Sequence, residues 1–270
     1  IVRNCWIVGN VGGDDGGGVA CKDGGEVINC IVRNNRAADK GGGVYLSGGA
    51  VFGSLIVDNE STSYDDGGGG VYTKEGGTVG NCTIVANLAS GANGEGGGIW
   101  FGDLASVVNS IIYFNTGSQQ ATRNLGGNVQ GVSFSCTVPD PSGVEIVTND
   151  PQFVDFAGGN YRLSQASPCI DHGGDTTGNA PDLDGVPRPL DGDCDGNAAL
   201  DIGAYEFAHA AADSDKDGLF DAYEALNGLD PTVDAGDDGA DGDPDGDGMS
   251  NLEEQTADTH PNNSASVLQL

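Results

Sequence analysis

Residues 41–59 read GGGVYLSGGAVFGSLIVDN: three glycines, a short apolar run and a closing asparagine. The pattern returns at 16–35 as GGGVACKDGGEVINCIVRNN, at 68–87 as GGGVYTKEGGTVGNCTIVAN and at 96–115 as GGGIWFGDLASVVNSIIYFN. Counting between Asn10, Asn35, Asn59, Asn87 and Asn115 gives steps of 25, 24, 28 and 28 residues. A period in this range marks a solenoid, in which each unit buries its apolar face only against its neighbours.

The columns decide which solenoid. Eight residues before each asparagine stands Val2, Val27, Val51, Val79 or Val107, and three before it Ile7, Val32, Ile56, Ile84 or Ile112. Five before it is Cys5, Cys30, Ser54, Cys82 or Ser110. Small and β-branched side chains in fixed columns suit short parallel strands stacked about 4.8 Å apart. Leucine at helical spacing is missing, which disfavours leucine-rich and α-helical repeats. Glycine then serves the sharp turns between strands. Asparagine is expected to take the left-handed bend and to bond its amide to that of the next coil. Two repeats carry extra residues (ESTSYDD and LASGANGE) between asparagine and glycines, which predicts loops stacked on one face.

Composition narrows the partners. Glycine is 48 of 270 residues and aromatics only 6%, too few large side chains for a conventional globule. Ten Lys+Arg against 41 Asp+Glu leave a formal charge of −31, which argues against nucleic acid and anionic membrane surfaces. No apolar run approaches the roughly 18–20 residues that span a bilayer. Ile1 opens in mid-repeat, so the sequence reads as an internal piece that contains neither signal nor anchor.

The GG[GA][IV] and NC-[TS]-[IF]-xxN elements of residues 1–137 resemble the right-handed parallel β-helix repeats of polymorphic outer-membrane proteins. That group implies a fold more than an activity, since such helices host lyases, hydrolases, adhesins and passive stalks. After Cys136 the period is lost. Asp150-Pro151-Gln152-Phe153, Ser167-Pro168-Cys169-Ile170-Asp171 and Asp201-Ile202-Gly203-Ala204-Tyr205-Glu206 are similar to the end of choice-of-anchor Q β-helical proteins, and imply a closing cap. Of the seven cysteines, Cys5, Cys30 and Cys82 share a column that Cys136 is expected to continue, while Cys169 and Cys194 form a candidate disulfide left open.

Beyond Phe207 the composition turns acidic. DSDKDGLFDAYE (213–224) and DPDGDGMSNLEE (243–254) each fit the twelve-residue calcium loop. Carboxylates at positions 1, 3 and 5 are Asp213, Asp215 and Asp217, then Asp243, Asp245 and Asp247. Gly218 and Gly248 turn the chain, Leu219 and Met249 offer backbone carbonyls, Asp221 and Asn251 fill position 9, and Glu224 and Glu254 supply the bidentate carboxylate. Oxygen ligands spaced two apart let a short loop wrap an ion that takes about 6–8 oxygens. DGDCDGNAALD (191–201) has the early aspartates and Gly196, but Ile202 stands where the glutamate belongs. The tail resembles bacterial thrombospondin type 3 repeats, in which calcium stiffens a spacer; convincing helix-loop-helix pairs are not expected.

The expected fold is therefore all-β: a right-handed parallel β-helix solenoid followed by a small calcium-binding loop region with little regular structure. Its parts are repeats at 1–147, the closing region at 148–207 and tandem calcium-binding repeats at 208–270. Two columns on the rod could carry function. Tyr45, Tyr72 and Trp100 follow Val44, Val71 and Ile99, forming either an outward strip for sugar rings or simple cross-coil stacking. Asp14/Asp15, Asp39, Asp65/Asp66 and Glu95, with Lys40 beside them, read either as an acid-base set for a glycosidic bond or as ordinary turn residues. The expected protein is structural or adhesive, secreted or at the cell surface, with calcium as its cofactor. Its expected partners are a polysaccharide, another cell-surface protein or copies of itself. The alternative is a carbohydrate-active enzyme, a polysaccharide lyase or glycoside hydrolase, on the same scaffold.

Overall fold

The computed structural model describes residues 1–120, 123–174 and 180–266. The described residues of 1–147 form a parallel β-solenoid of about five turns, with four short strands per turn. The second full turn shows the plan: Glu26–Ile28, Ile31–Arg33, Arg36–Ala37 and Val44–Ser47. Each strand pairs in parallel with its equivalents one turn before and after. Val2, Val27, Val51, Val79, Val107 and Val132 fall in one register column. Ile7, Val32, Ile56, Ile84 and Ile112 fall in another. Both columns point inward and, with Val44, Val71 and Ile99, make the core of the rod.

The asparagines form the expected ladder, and in its buried members the side-chain amides are spent on neighbouring coils. Asn59 Oδ1 accepts from Asn35 N at 3.0 Å and Asn35 Nδ2 at 2.9 Å. Asn59 Nδ2 donates to Asn87 Oδ1 and to the Val32 carbonyl, both at 2.9 Å. The left-handed bend, however, belongs to the residue before each asparagine: Gly9, Asn34, Asp58, Ala86 and Phe114 all have positive φ, and the ladder residues do not. A ladder asparagine must aim its side chain along the rod axis, and its neighbour makes the corner. The ladder ends on Asn124, which accepts from Asn115 N and Nδ2. Asn124 occupies the column of the third glycine, since Ile99 N bonds its carbonyl just as Val71 N bonds that of Gly98.

The glycine run is the other half of this contact. A Cβ on Gly43 would stand 2.7 Å from the Gly70 carbonyl oxygen and 3.0 Å from Asn59 Nδ2, where no atom fits. The two inserted loops stack as expected, with Asn93 N on the Tyr64 carbonyl and Asn93 Nδ2 on Asp65 Oδ1.

The thiol column differs from expectation by one residue. Ser135 continues Cys5, Cys30, Ser54, Cys82 and Ser110, its Oγ accepting from Ser110 N, whereas Cys136 pairs with Ile111 and faces outward. Burial pushes the Cys82 thiol up to about 12, consistent with a small inert core group. Cys169 and Cys194 are both free thiols: Cys169 is buried against Cys136, and exposed Cys194 lies 3.0 Å from His209 Nδ1.

The described residues of 148–207 form a clamp along the side of the rod. Leu55, Val57, Val85 and Ile111 point outward from the second strand stack and are covered by Tyr161, Leu163, Ile170, Ile202, Ala204 and Tyr205. Val144–Val147 is the segment that pairs over the last coil. Ala204 N bonds Thr83 Oγ1 and Gly203 N bonds the Asn109 carbonyl. The buried acids of this clamp each hold backbone N–H groups: Asp201 those of Asp171 and Phe207, Glu206 those of Leu190 and Asp201, Asp182 those of Asp184, Val186 and Glu206. Arg188, equally buried, sits 3.8 Å from Glu206.

Replacing Asn59 with Ala would strand buried donors on Asn35 and the carbonyl of Val32, at a cost of about 3 kcal/mol. The same change at Asn10, on the exposed first coil, should cost less than about 1 kcal/mol. Urea denaturation of the two variants checks the difference.

Candidate metal centre

Each acidic loop in the tail is followed by one short helix, α1 (Asp221–Asn227) and α2 (Asn251–Ala257). The helices are what the sequence left out, and they have a use: each carries its loop's glutamate in its first turn, near enough for the aspartate charges to act on it, though outside the group of aspartate oxygens that converge within 4.8 Å. Helix α2 starts on a capping box between Ser250 and Glu253, a signal present in SNLEE; α1 has no side-chain cap.

The two loops fold alike. Asp213 accepts from Lys216 N and Gly218 N; Asp243 accepts from Gly246 N and Gly248 N. The N–H groups of Leu219 and Met249 bond Asp217 and Asp247. Gly218 and Gly248 have φ of 105° and 95°, where a side chain would be strained. Ligand oxygens of Asp213, Asp215 and Asp217 lie within 4.8 Å of one another, as do those of Asp243, Asp245 and Asp247. Either group could hold a metal ion.

The decisive atoms are on the glutamates. Glu224 and Glu254 are 0% exposed, and none of their four carboxylate oxygens has a hydrogen-bond partner. Asp215 Oδ2, Asp245 Oδ2, Asp247 Oδ2 and Asn251 Oδ1 are buried and unpartnered as well. Leaving one such group unmade costs on the order of 1–3 kcal/mol, more when charged. Burial first, then the charges of Asp215 and Asp217, push the Glu224 carboxyl up to about 8. Burial also raises Glu254, and it lifts Asp215 to about 6. A cation with many oxygen ligands removes all these penalties at once, and calcium fits a donor set made only of oxygens. Asp221 stands apart from this set: both its oxygens are taken by Ser214, through N at 2.8 Å and Oγ at 2.7 Å.

The third acidic turn has the same start, Asp191 accepting from Asp195 N and Gly196 N. Ile202 is buried in the clamp's apolar cluster, and Asp171, from outside the turn, brings a carboxylate to Asp191 and Asp193. Nothing in the spacing of residues 191–201 pointed to Asp171. On the rod, Asp14, Asp15 and Asp39 also converge, Asp39 accepting from Ser63 Oγ, while Lys40 lies 3.7 Å from Asp66 in the next coil.

The aromatic column is stacked. Tyr45 and Tyr72 lie 5.5 Å apart at 3°, and Tyr72 and Trp100 4.5 Å apart at 5°. Tyr45 and Tyr72 are only 5% and 4% exposed, and the outer face of Trp100 abuts Gly127. The faces of Tyr45 and Tyr72 are thus largely taken up within the stack, while Trp100 remains partly exposed, an arrangement that favours cross-coil stacking over an open strip for sugar rings.

Models of protein families, curated proteins and solved structures yield no match to this chain.

A carboxyl with a raised folded-state pKa binds protons that the unfolded chain releases. Metal-free stability of the tail is therefore fullest below the ordinary glutamate value of 4.5 and is lost as pH rises through about 8. With calcium chelated, the tail should melt lower at pH 8 than at pH 6. Calcium binding should release protons and tighten as pH rises over that range, which calorimetry in buffers of different ionisation enthalpy would read. Glu224→Gln and Glu254→Gln should each remove one binding site while raising metal-free stability, a pair of opposite effects that loss of a packing residue would not give.

Proposed function

We propose that the chain belongs to a secreted or cell-surface protein in which a β-solenoid rod is joined to a calcium-stiffened spacer. The work of the rod is to present a long face to a glycan or another surface. The observation that carries this reading is the pair of fully buried, unpartnered glutamates in tandem loops. Such loops are poorly satisfied without calcium, and extracellular modules tuned to about 10⁻⁴–10⁻³ M calcium meet their ion outside the cell. The similarity to thrombospondin type 3 spacers and to surface proteins with β-helix repeats points the same way. So does a rod whose columns are spent on stacking coils. No helix among the described residues is long and apolar enough to cross a membrane.

A polysaccharide panel incubated with the protein in calcium, scored for retention and for new chain ends, tests the reading. Retention without cleavage is expected. New chain ends would replace it with a carbohydrate-active enzyme, and loss of cleavage in Asp39→Asn would then locate the chemistry in the acidic column.

A further inference from the structure

The two loops share a sequence pattern but not the same stock of available oxygens. In the loop at 243–254 the second oxygens of Asp245 and Asp247, the Asn251 amide oxygen and both Glu254 oxygens are buried without partners. In the loop at 213–224 that holds only for Asp215 Oδ2 and the two Glu224 oxygens. The missing two have identified partners. Asp217 Oδ2, the counterpart of Asp247 Oδ2, accepts from Ala240 N at 2.6 Å. Asp221, the counterpart of Asn251, is bonded through both oxygens to Ser214. Asn251 instead donates its amide hydrogens to the carbonyls of Asp237 and Gly239, which turns its oxygen loose.

We infer that the loops load in a fixed order, the loop at 243–254 first and the loop at 213–224 second, and that the second event acts on the joint between spacer and rod. This rests on the calcium reading above. An oxygen already accepting a hydrogen bond gives less to an ion, and ligand supply and charge are what tune affinity in such loops. The loop at 213–224 must share Asp217 with the Ala240 N–H and do without Asp221, so it binds more weakly, by about tenfold or more.

Its place in the fold gives the order a consequence. Ser214 Oγ donates to Asp221 Oδ2 and accepts from the Asp191 N–H of the clamp at 3.1 Å. Gln255 of α2 bonds Phe220 N and the Gly218 carbonyl, so the loops also brace each other. The weaker site is thus the one at the contact with the clamp. The distal loop is already filled at calcium levels where the joint is still loosely held, and the joint tightens over a higher range.

Amide spectra of the ¹⁵N-labelled full chain, recorded as calcium is added, test this without any substitution. Gly248, at the turn of the distal loop, should shift in the first phase and Gly218 in the second. Hydrogen exchange at Asp191 and Ser214 should slow only with Gly218. Calorimetry should show two sets of sites, with Glu254→Gln removing the tighter and Glu224→Gln the weaker. If both glycines move together with one constant, or Gly218 moves first, the order is overturned while calcium binding stands. Protection of Asp191 that tracks Gly248 would overturn the link to the joint. If neither glycine moves and no heat is evolved, the calcium reading itself falls, and the inference with it.

Discussion

Everything in the rod depends on how closely one coil can lie on the next. Backbone hydrogen bonds between coils fix that spacing at the inter-strand distance of about 4.8 Å, and at the inside of one corner it leaves no volume for a side chain. Gly43 therefore faces Asn59 and the Gly70 carbonyl with nothing between them. The asparagine is the complement of that bareness. It fills the corner with a side chain whose donors and acceptor are all used along the axis, which a hydrophobic residue of similar size could not do for the main-chain N–H groups beneath it. Glycine run and asparagine are one device, repeated because every interface between coils needs it again.

Buried acids outside the rod separate into two kinds, and partnership decides which is which. Asp182, Asp201 and Glu206 are all buried, yet their oxygens gather main-chain N–H groups, and Glu206 lies 3.8 Å from Arg188. They tie the loops of the clamp into a single body, which explains why the Asp201–Glu206 segment is so polar at its ends and apolar at Ile202 and Ala204. Glu224 and Glu254 are also buried and gather nothing. The same side chain is a structural staple in one place and a candidate ligand in the other.

The period made most of the rod legible. The valine and isoleucine columns, the ladder and the stacked insertions could all be counted back from an asparagine. Where that marker failed, the reading slipped. No asparagine closes the coil after Ser135, so Cys136 was placed one residue off. Asn124 follows Asn115 by only nine residues and serves from the glycine column, a substitution no spacing announces. The clamp left one unused clue: Leu55-Ile56-Val57 and Ile111-Ile112 are apolar on both sides of a strand, the mark of a sheet covered on both faces. The convergence of the aspartates at positions 1, 3 and 5 of each loop was legible, because coordination chemistry fixes their spacing, but the sidelining of Asp221 by Ser214 was not. Nor was the inequality of the loops, since Ala240 and Ser214 meet Asp217 and Asp221 only in three dimensions.

The aromatic column shows why orientation alone does not make a binding surface. Alternation along the strands correctly turns Tyr45, Tyr72 and Trp100 away from the core. Residues in register on successive parallel strands are close enough, however, for flat rings to meet face to face, and 4.5–5.5 Å between centroids leaves no gap for a guest. A solenoid thus tends to consume the repeated side chains that look most like a ligand platform, because whatever repeats in register finds its own copy first. What escapes the repeat here is the clamp, which breaks the symmetry of one side.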